Sequence, residues 1–185
     1  ETQESVSKSK RITGKSETLR ALSVKPDFLI HMTHASKSDL QIVSKKTRGI
    51  VICPRANSSL AEGIPDIQKM ENAGCLLALG TDNVMINSPD MFREMDFLWK
   101  VTMGIKKKRI DPKNILKMAT VNGGKILKKD IGIIQNKKIA DCIFLDKHAL
   151  DLEPMHNPHA SIVHRASEST IKAVMIEGKV VHGKI

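Results

Sequence analysis

In the first half of the chain, hydrophobic and polar positions are grouped in blocks rather than alternating singly. Phe28-Leu29-Ile30, Ile50-Val51-Ile52-Cys53 and Cys75-Leu76-Leu77-Ala78-Leu79 are continuous apolar runs, each closed by polar or turn-forming residues. Such runs predict strands buried on both faces. Between them, apolar residues recur at helical spacing. Ser36 or Ser38 caps a helix holding Leu40, Ile42 and Val43, and Gly49 closes it. Pro65, Ile67, Met70 and Ala73 mark a second helix, with Pro in its first turn and Gly74 at its stop. Upstream, residues 1–15 are polar and weakly periodic. Ser16-Glu17 then starts a short helix through Leu19, Leu22 and Val24, which Pro26 ends. Strand–helix alternation of this kind predicts a parallel sheet joined by crossovers. The segment from Arg55 to Gly63 reads as a long polar loop, and Asn83 to Asp90 as another.

Beyond Asp90 the pattern is helical. One helix carries Met91, Phe92, Met95, Leu98, Trp99 and Val101, another runs from Pro112 to Ala119 with Asp111 as its cap, and a short third spans Asn122 to Leu127. The character changes near Gly132. Ile133-Ile134, Ile139 and Cys142-Ile143-Phe144 are short β-rich runs, and residues 172–181 predict a hairpin turning at Glu177-Gly178. The expected division is an α/β portion over 1–131 and a β-module over 132–185.

Each predicted strand of the first half ends in groups that can do chemistry. His31 with His34 follows the first. Cys53-Pro54-Arg55-Ala56-Asn57 closes the second, and Gly80-Thr81-Asp82 the third. In an α/β barrel the active site gathers at the strand C-termini. A barrel normally takes about 250 residues, so a chain of 185 is expected to hold only part of one. Taken alone, Asp82 is also a turn or helix-capping aspartate, His31 a structural histidine at a strand end, and Asn57 a loop stabiliser. His34 reads equally as a helix-start group. His148, His156, His159, His164 and His182 read as surface residues, and Met91, Met95 and Trp99 as helix core.

Composition alters this picture in three places. Aromatic residues make up 3% and Tyr is absent, so the core rests on Ile, Leu, Val, Met and Ala. The net charge of +10 gathers mildly at Lys106-Lys107-Lys108-Arg109, Lys128-Lys129 and Lys137-Lys138. No aromatics interleave with these runs, so they read as solvated surface and no nucleic-acid partner is expected. Cys53, Cys75 and Cys142 lie in apolar runs without CxxC spacing, which predicts free buried thiols and a reducing, cytoplasmic setting. No apolar run approaches ~18 residues, so no membrane-spanning helix is expected. The N-terminus shows neither an initiator Met nor a leader.

In order and spacing these segments resemble the C-terminal half of an amidohydrolase-superfamily enzyme, in the branch of cytosine-deaminase-like, chlorohydrolase-like and adenosine- or S-adenosylhomocysteine-deaminase-like proteins. Glu1-Thr2 resembles the end of the family's His-x-x-Glu-Thr motif, and Ile30-His31-Met32-Thr33-His34 the histidine motif closing barrel strand six. Cys53-Pro54-Arg55-Ala56-Asn57-Ser58-Ser59-Leu60 is similar to the Cys-Pro-x-Ser-Asn segment, with Ala56 in place of the usual Ser. Leu79-Gly80-Thr81-Asp82-Asn83 matches the strand-eight aspartate motif, and Asn87 to Met95 the segment after it. Lys117 to Gly124 and Ala140 to Asp146 resemble the closing helix and the β-sandwich.

The resemblance implies the C-terminal half of a (β/α)8 TIM-type barrel followed by part of a small β-sandwich. It also implies a metal-dependent aminohydrolase that deaminates a nucleobase or nucleoside such as an adenosine derivative. The alternatives it leaves are a cytosine, guanine or triazine hydrolase or chlorohydrolase, or a catalytically incomplete fragment. The implied metal is divalent, zinc before iron, with Asp82 as ligand and proton acceptor. Glu1 would protonate the substrate ring and His31 would hydrogen-bond the reacting centre. Arg55 and Asn57 would shape the substrate pocket. The family's His-x-His is absent, and its strand-five histidine would precede Glu1. The expected partners are therefore a small-molecule substrate and either the missing half or another subunit in a homo-oligomer.

Overall fold

The structure, a computed structural model, describes residues 3–185. The chain forms two compact units, Glu1–Pro89 and Asp90–Ile185.

The first unit holds α1 (Gln3–Thr13), α2 (Glu17–Leu22), β1 (Leu29–Ile30), α3 (Lys37–Lys46), β2 (Ile50–Ile52), α4 (Pro54–Ser59), α5 (Ile67–Asn72) and β3 (Leu77–Leu79). The three strands form a parallel sheet in the order β1-β2-β3, with Leu29 opposite Ile50 and Ile52 opposite Leu79. The helices start where the sequence places their caps. The Ser16 and Ser36 side chains accept from the Leu19 and Asp39 amides, and Asp66 accepts from Lys69. Leu40, Val43, Ile67 and Met70 of the helices and Ile50, Ile52, Leu77 and Ala78 of the sheet form the buried core, all at most 2% exposed. Each such side chain contributes roughly 1.5–3 kcal/mol by leaving water.

Two expectations change here. Residues 54–59 are helical rather than loop, because Pro54 presets the first turn while Arg-Ala-Asn-Ser-Ser has no apolar period to announce a helix. Strand β1 is not buried like its neighbours, since Ile30 is 50% exposed at the sheet edge. α1 was not foreseen, its composition being polar.

The second unit holds α6 (Met91–Gly104), α7 (Pro112–Met118), α8 (Val121–Leu127), β4 (Cys142–Leu145), α9 (Pro158–Arg165), β5 (Ile171–Ile176) and β6 (Lys179–Gly183). β4-β5-β6 is an antiparallel sheet. Its hairpin turns at Glu177 and Gly178, both with positive φ, the geometry that matches strand twist in a two-residue loop. Ile133, Ile134 and Ile139 lie in irregular chain rather than strands, and Ile134 is 91% exposed. α9 also went unforeseen in the sequence; it packs on α6 and α7. Val163 of α9 is as buried as Leu98, Ile115 and Met118. That packing ties residues beyond 131 to the helices before them within the second unit. Among the described residues no helix is long and apolar enough to cross a membrane.

Candidate active site

Parallel pairing carries three strand ends to one place. The ladder runs on past the strands proper, with the His31 amide donating to Val51 O at 2.8 Å and the Gly80 amide to Ile52 O at 2.9 Å. The chain then turns sharply. His31 (φ 65°), Met32 (φ 56°) and Asp82 (φ 61°) all sit in the left-handed region. Non-glycine residues there cost of order 1–3 kcal/mol each, and they gather at functional sites. Cys53 stands at the end of β2, just before Pro54 opens α4. Gly80 lets this approach happen, since a Cβ there would lie 2.9 Å from Val51 Cγ1 and 3.3 Å from Cys53 Sγ.

His31, Cys53 and Asp82 each offer one donor atom, and these atoms lie within 4.8 Å of one another. His31 Nε2 is 3.7 Å from Asp82 Oδ2, with the two side chains 32% and 23% exposed. Asp82 Oδ1 accepts from the Asn83 amide at 2.8 Å, which fixes the carboxylate and leaves Oδ2 for the pocket. His31 Nδ1 is buried and has no hydrogen-bond partner. The donor set suits a divalent ion of the zinc class, for which imidazole, thiolate and carboxylate are all ligands. With bonds of about 2.0–2.3 Å, tetrahedral ligand atoms stand roughly 3.3–3.8 Å apart. His31 Nε2 and Asp82 Oδ2, 3.7 Å apart, already stand in that range, so these residues fit such a group.

The remaining candidates lie around this cluster in different ways. Glu1 falls outside the described residues. Arg55 donates from Nη1 to Ser88 O at 3.2 Å. Asn57 is 2% exposed, and its amide donates to Thr33 Oγ1 at 2.8 Å, which spends that group on joining α4 to the loop after β1. His34 Nε2 pairs with Glu62 O at 2.9 Å, beside Gly63, and so ties the same loop to the segment that follows α4. Cys53 was read from the sequence as a buried thiol. It is buried, but it also joins the cluster, and the signal for this was its place at a strand C-terminus like those of His31 and Asp82. Among the described residues no other group of three such side chains assembles.

The second unit corrects one expectation. His164 is half-buried rather than fully solvated; its ring lies 4.1 Å from that of Trp99, tilted by 56°. Burial pushes its imidazole below the ordinary range, partly offset by Asp96 and reinforced by Lys100.

The sequence profile described as "Amidohydrolase family" matches residues 6–181. A putative aminohydrolase of Methanothermobacter thermautotrophicus is 39% identical over 181 residues, covering 98% of this chain and 45% of that protein. A 5-methylthioadenosine/S-adenosylhomocysteine deaminase of Pelotomaculum thermopropionicum is 35% identical over 169 residues, covering 86% of this chain and 38% of that one. Among solved structures, an adenosine deaminase from Xanthomonas campestris with bound zinc superposes with a TM-score of 0.89 at 27% identity, over 97% of this chain and 43% of that one. The chain thus spans less than half the length of these relatives.

Proposed function

The chain belongs to the amidohydrolase family, and from that premise we propose that it forms the C-terminal part of a metal-dependent aminohydrolase acting on a nucleobase or nucleoside, an adenosine derivative first. The proposed parts are a TIM-barrel portion over 1–131 and part of a β-sandwich over 132–185. The observation that carries the reading is the approach of His31 Nε2 to within 3.7 Å of Asp82 Oδ2 at the ends of parallel strands.

A divalent ion, zinc before iron, supplies activation of water at neutral pH. Asp82 would hold that ion and would accept the proton given up by the attacking water, its Oδ1 being fixed by the Asn83 amide. His31, 3.7 Å away, orients the attacking oxygen and steadies the charge that develops on the substrate carbon. Glu1 would deliver a proton to the ring nitrogen, and the proton that Asp82 takes from the attacking water would pass to the exocyclic amine, so that ammonia leaves as a neutral molecule. Arg55 and Asn57 shape the pocket wall, Asn57 through the backbone it anchors. The exposed edge residue Ile30, and Val180 and Val181 on β6, favour association with the rest of such an enzyme or with another copy, in a cytoplasmic homo-oligomer.

The test is ammonia release in the presence of zinc from adenosine, 5-methylthioadenosine and S-adenosylhomocysteine, with cytosine, guanine and a chlorotriazine as competitors. The chain is assayed alone and together with a polypeptide carrying the family's His-x-His segment. Turnover of an adenosine derivative that Asp82→Asn abolishes supports the reading. Release from the triazine alone would favour the chlorohydrolase alternative. No turnover in either setting would leave a non-catalytic remnant.

A further inference from the structure

We propose that His34 and Lys69 are positioning residues for His31, clamping the loop after β1 so that the His31 imidazole stays aimed at Asp82. This rests on the role proposed above for His31.

The His31 ring is not held by hydrogen bonds of its own. Its Nδ1 has no partner, and its Nε2, 3.7 Å from Asp82 Oδ2, is beyond hydrogen-bond range. The ring therefore points where its backbone sends it, and that backbone is strained. His31 and Met32 are consecutive residues with positive φ. Such conformations persist only where the surrounding structure over-determines them. Strand β2 fixes the start, through the His31 amide on Val51 O. Three side-chain bonds fix the rest, each joining residues 24 to 34 positions apart. Lys69 Nζ, on α5, donates to Ala35 O at 2.6 Å, a charge-assisted bond. The Ala35 amide in turn donates to Met32 O at 3.2 Å, which links the ammonium to the strained residue beside His31. His34 Nε2 meets Glu62 O at 2.9 Å. A carbonyl only accepts, so that nitrogen carries a proton and donates. Asn57 donates to Thr33 Oγ1. Met32 and Ala35 are 5% and 3% exposed, so the loop cannot shift without repacking. Asn57 is buried, and its replacement would disturb the core as well. His34 and Lys69 are half-buried and can be changed with less damage.

Two readouts test the clamp. In the full chain, carbon-13-labelled on histidine and assigned with His31→Gln, the His31 ring should give one sharp set of NMR signals. His34→Phe and Lys69→Met should broaden or double that set. Leu98→Ala, which weakens the fold elsewhere, should leave it single. In the chain assembled with the polypeptide carrying the His-x-His segment, His34→Phe and Lys69→Met should each lower kcat for ammonia release about tenfold, with KM within about twofold. His34→Gln, which keeps an amide N–H at similar reach, should recover most of that loss. A broadened ring in the unaltered chain, a sharp single ring in both variants, or an unchanged kcat in both overturns the clamp. Should His34→Phe fail to fold by circular dichroism, Lys69→Met, which keeps the aliphatic stem, decides. Ring signals that follow the clamp, with no ammonia release from the unaltered assembly, would remove the deaminase reading alone. Turnover with ring signals that the variants do not move would remove the clamp alone.

Discussion

The two units use strands to opposite effect. In Glu1–Pro89 the sheet is parallel, so β1, β2 and β3 all finish at one end, and the residues that follow them, His31, Cys53 and Asp82, meet there. In Asp90–Ile185 the sheet is antiparallel, so the residues after β4, β5 and β6 fall at alternating ends. That unit has more histidines, yet none of them joins a group of three ligand-type side chains among the described residues. Chain direction, more than the supply of reactive residues, decides where chemistry can gather.

The largest expected effect attacks this directly. In the assembled enzyme Asp82→Ala should lower kcat/KM for ammonia release by at least about 10²-fold, while Asp146→Ala, which follows a strand in the antiparallel sheet, should leave it within twofold or so. Equal losses would erase the distinction between the units.

Next in size is a packing change. Leu98→Ala, at a fully buried α6 position, should cost about 2–5 kcal/mol in urea unfolding. It should leave zinc binding unchanged, because it lies outside the unit that holds the cluster. A shifted zinc affinity would show that the site depends on packing in the second unit.

A smaller change falls inside the cluster's own unit. Gly80→Ala places a methyl 2.9 Å from Val51 Cγ1 and 3.3 Å from Cys53 Sγ. It should cost about 1–3 kcal/mol and also weaken metal binding, the two effects appearing together as they do not in Leu98→Ala.

The smallest concerns pH. Burial holds the His164 imidazole below its ordinary 6.5. Near that value the unfolded chain therefore binds more protons than the folded one, so His164 contributes stability above pH 6.5 that is lost as pH falls through the depressed folded value. His164→Phe should flatten the acid limb of a Tm against pH curve. An unchanged limb would mean other groups set it.

Most of this contrast was legible in the residues. The apolar runs ending at Ile30, Ile52 and Leu79 read as strands because nothing polar interrupts them, and Asp82 and His31 stood out because they close those runs. What escaped had no periodic signal. α4 is set by Pro54 and by burial of Ala56 and Asn57, not by an apolar stripe. α9 shows its helical face only once α6 and α7 are there to meet Val163. His164 looked solvent-facing because its partner Trp99 is 65 positions away in sequence. Asn57 looked like a pocket residue, and only its bond to Thr33 shows where its amide is committed.

The central claim is that the strand ends of the parallel sheet form a metal centre. An anomalous-scattering map, recorded at the zinc edge from crystals grown with zinc, addresses it most directly. The predicted result is one strong peak bonded to Asp82 and within reach of His31 and Cys53. A peak among the histidines of the second unit, with none at Asp82, would contradict it.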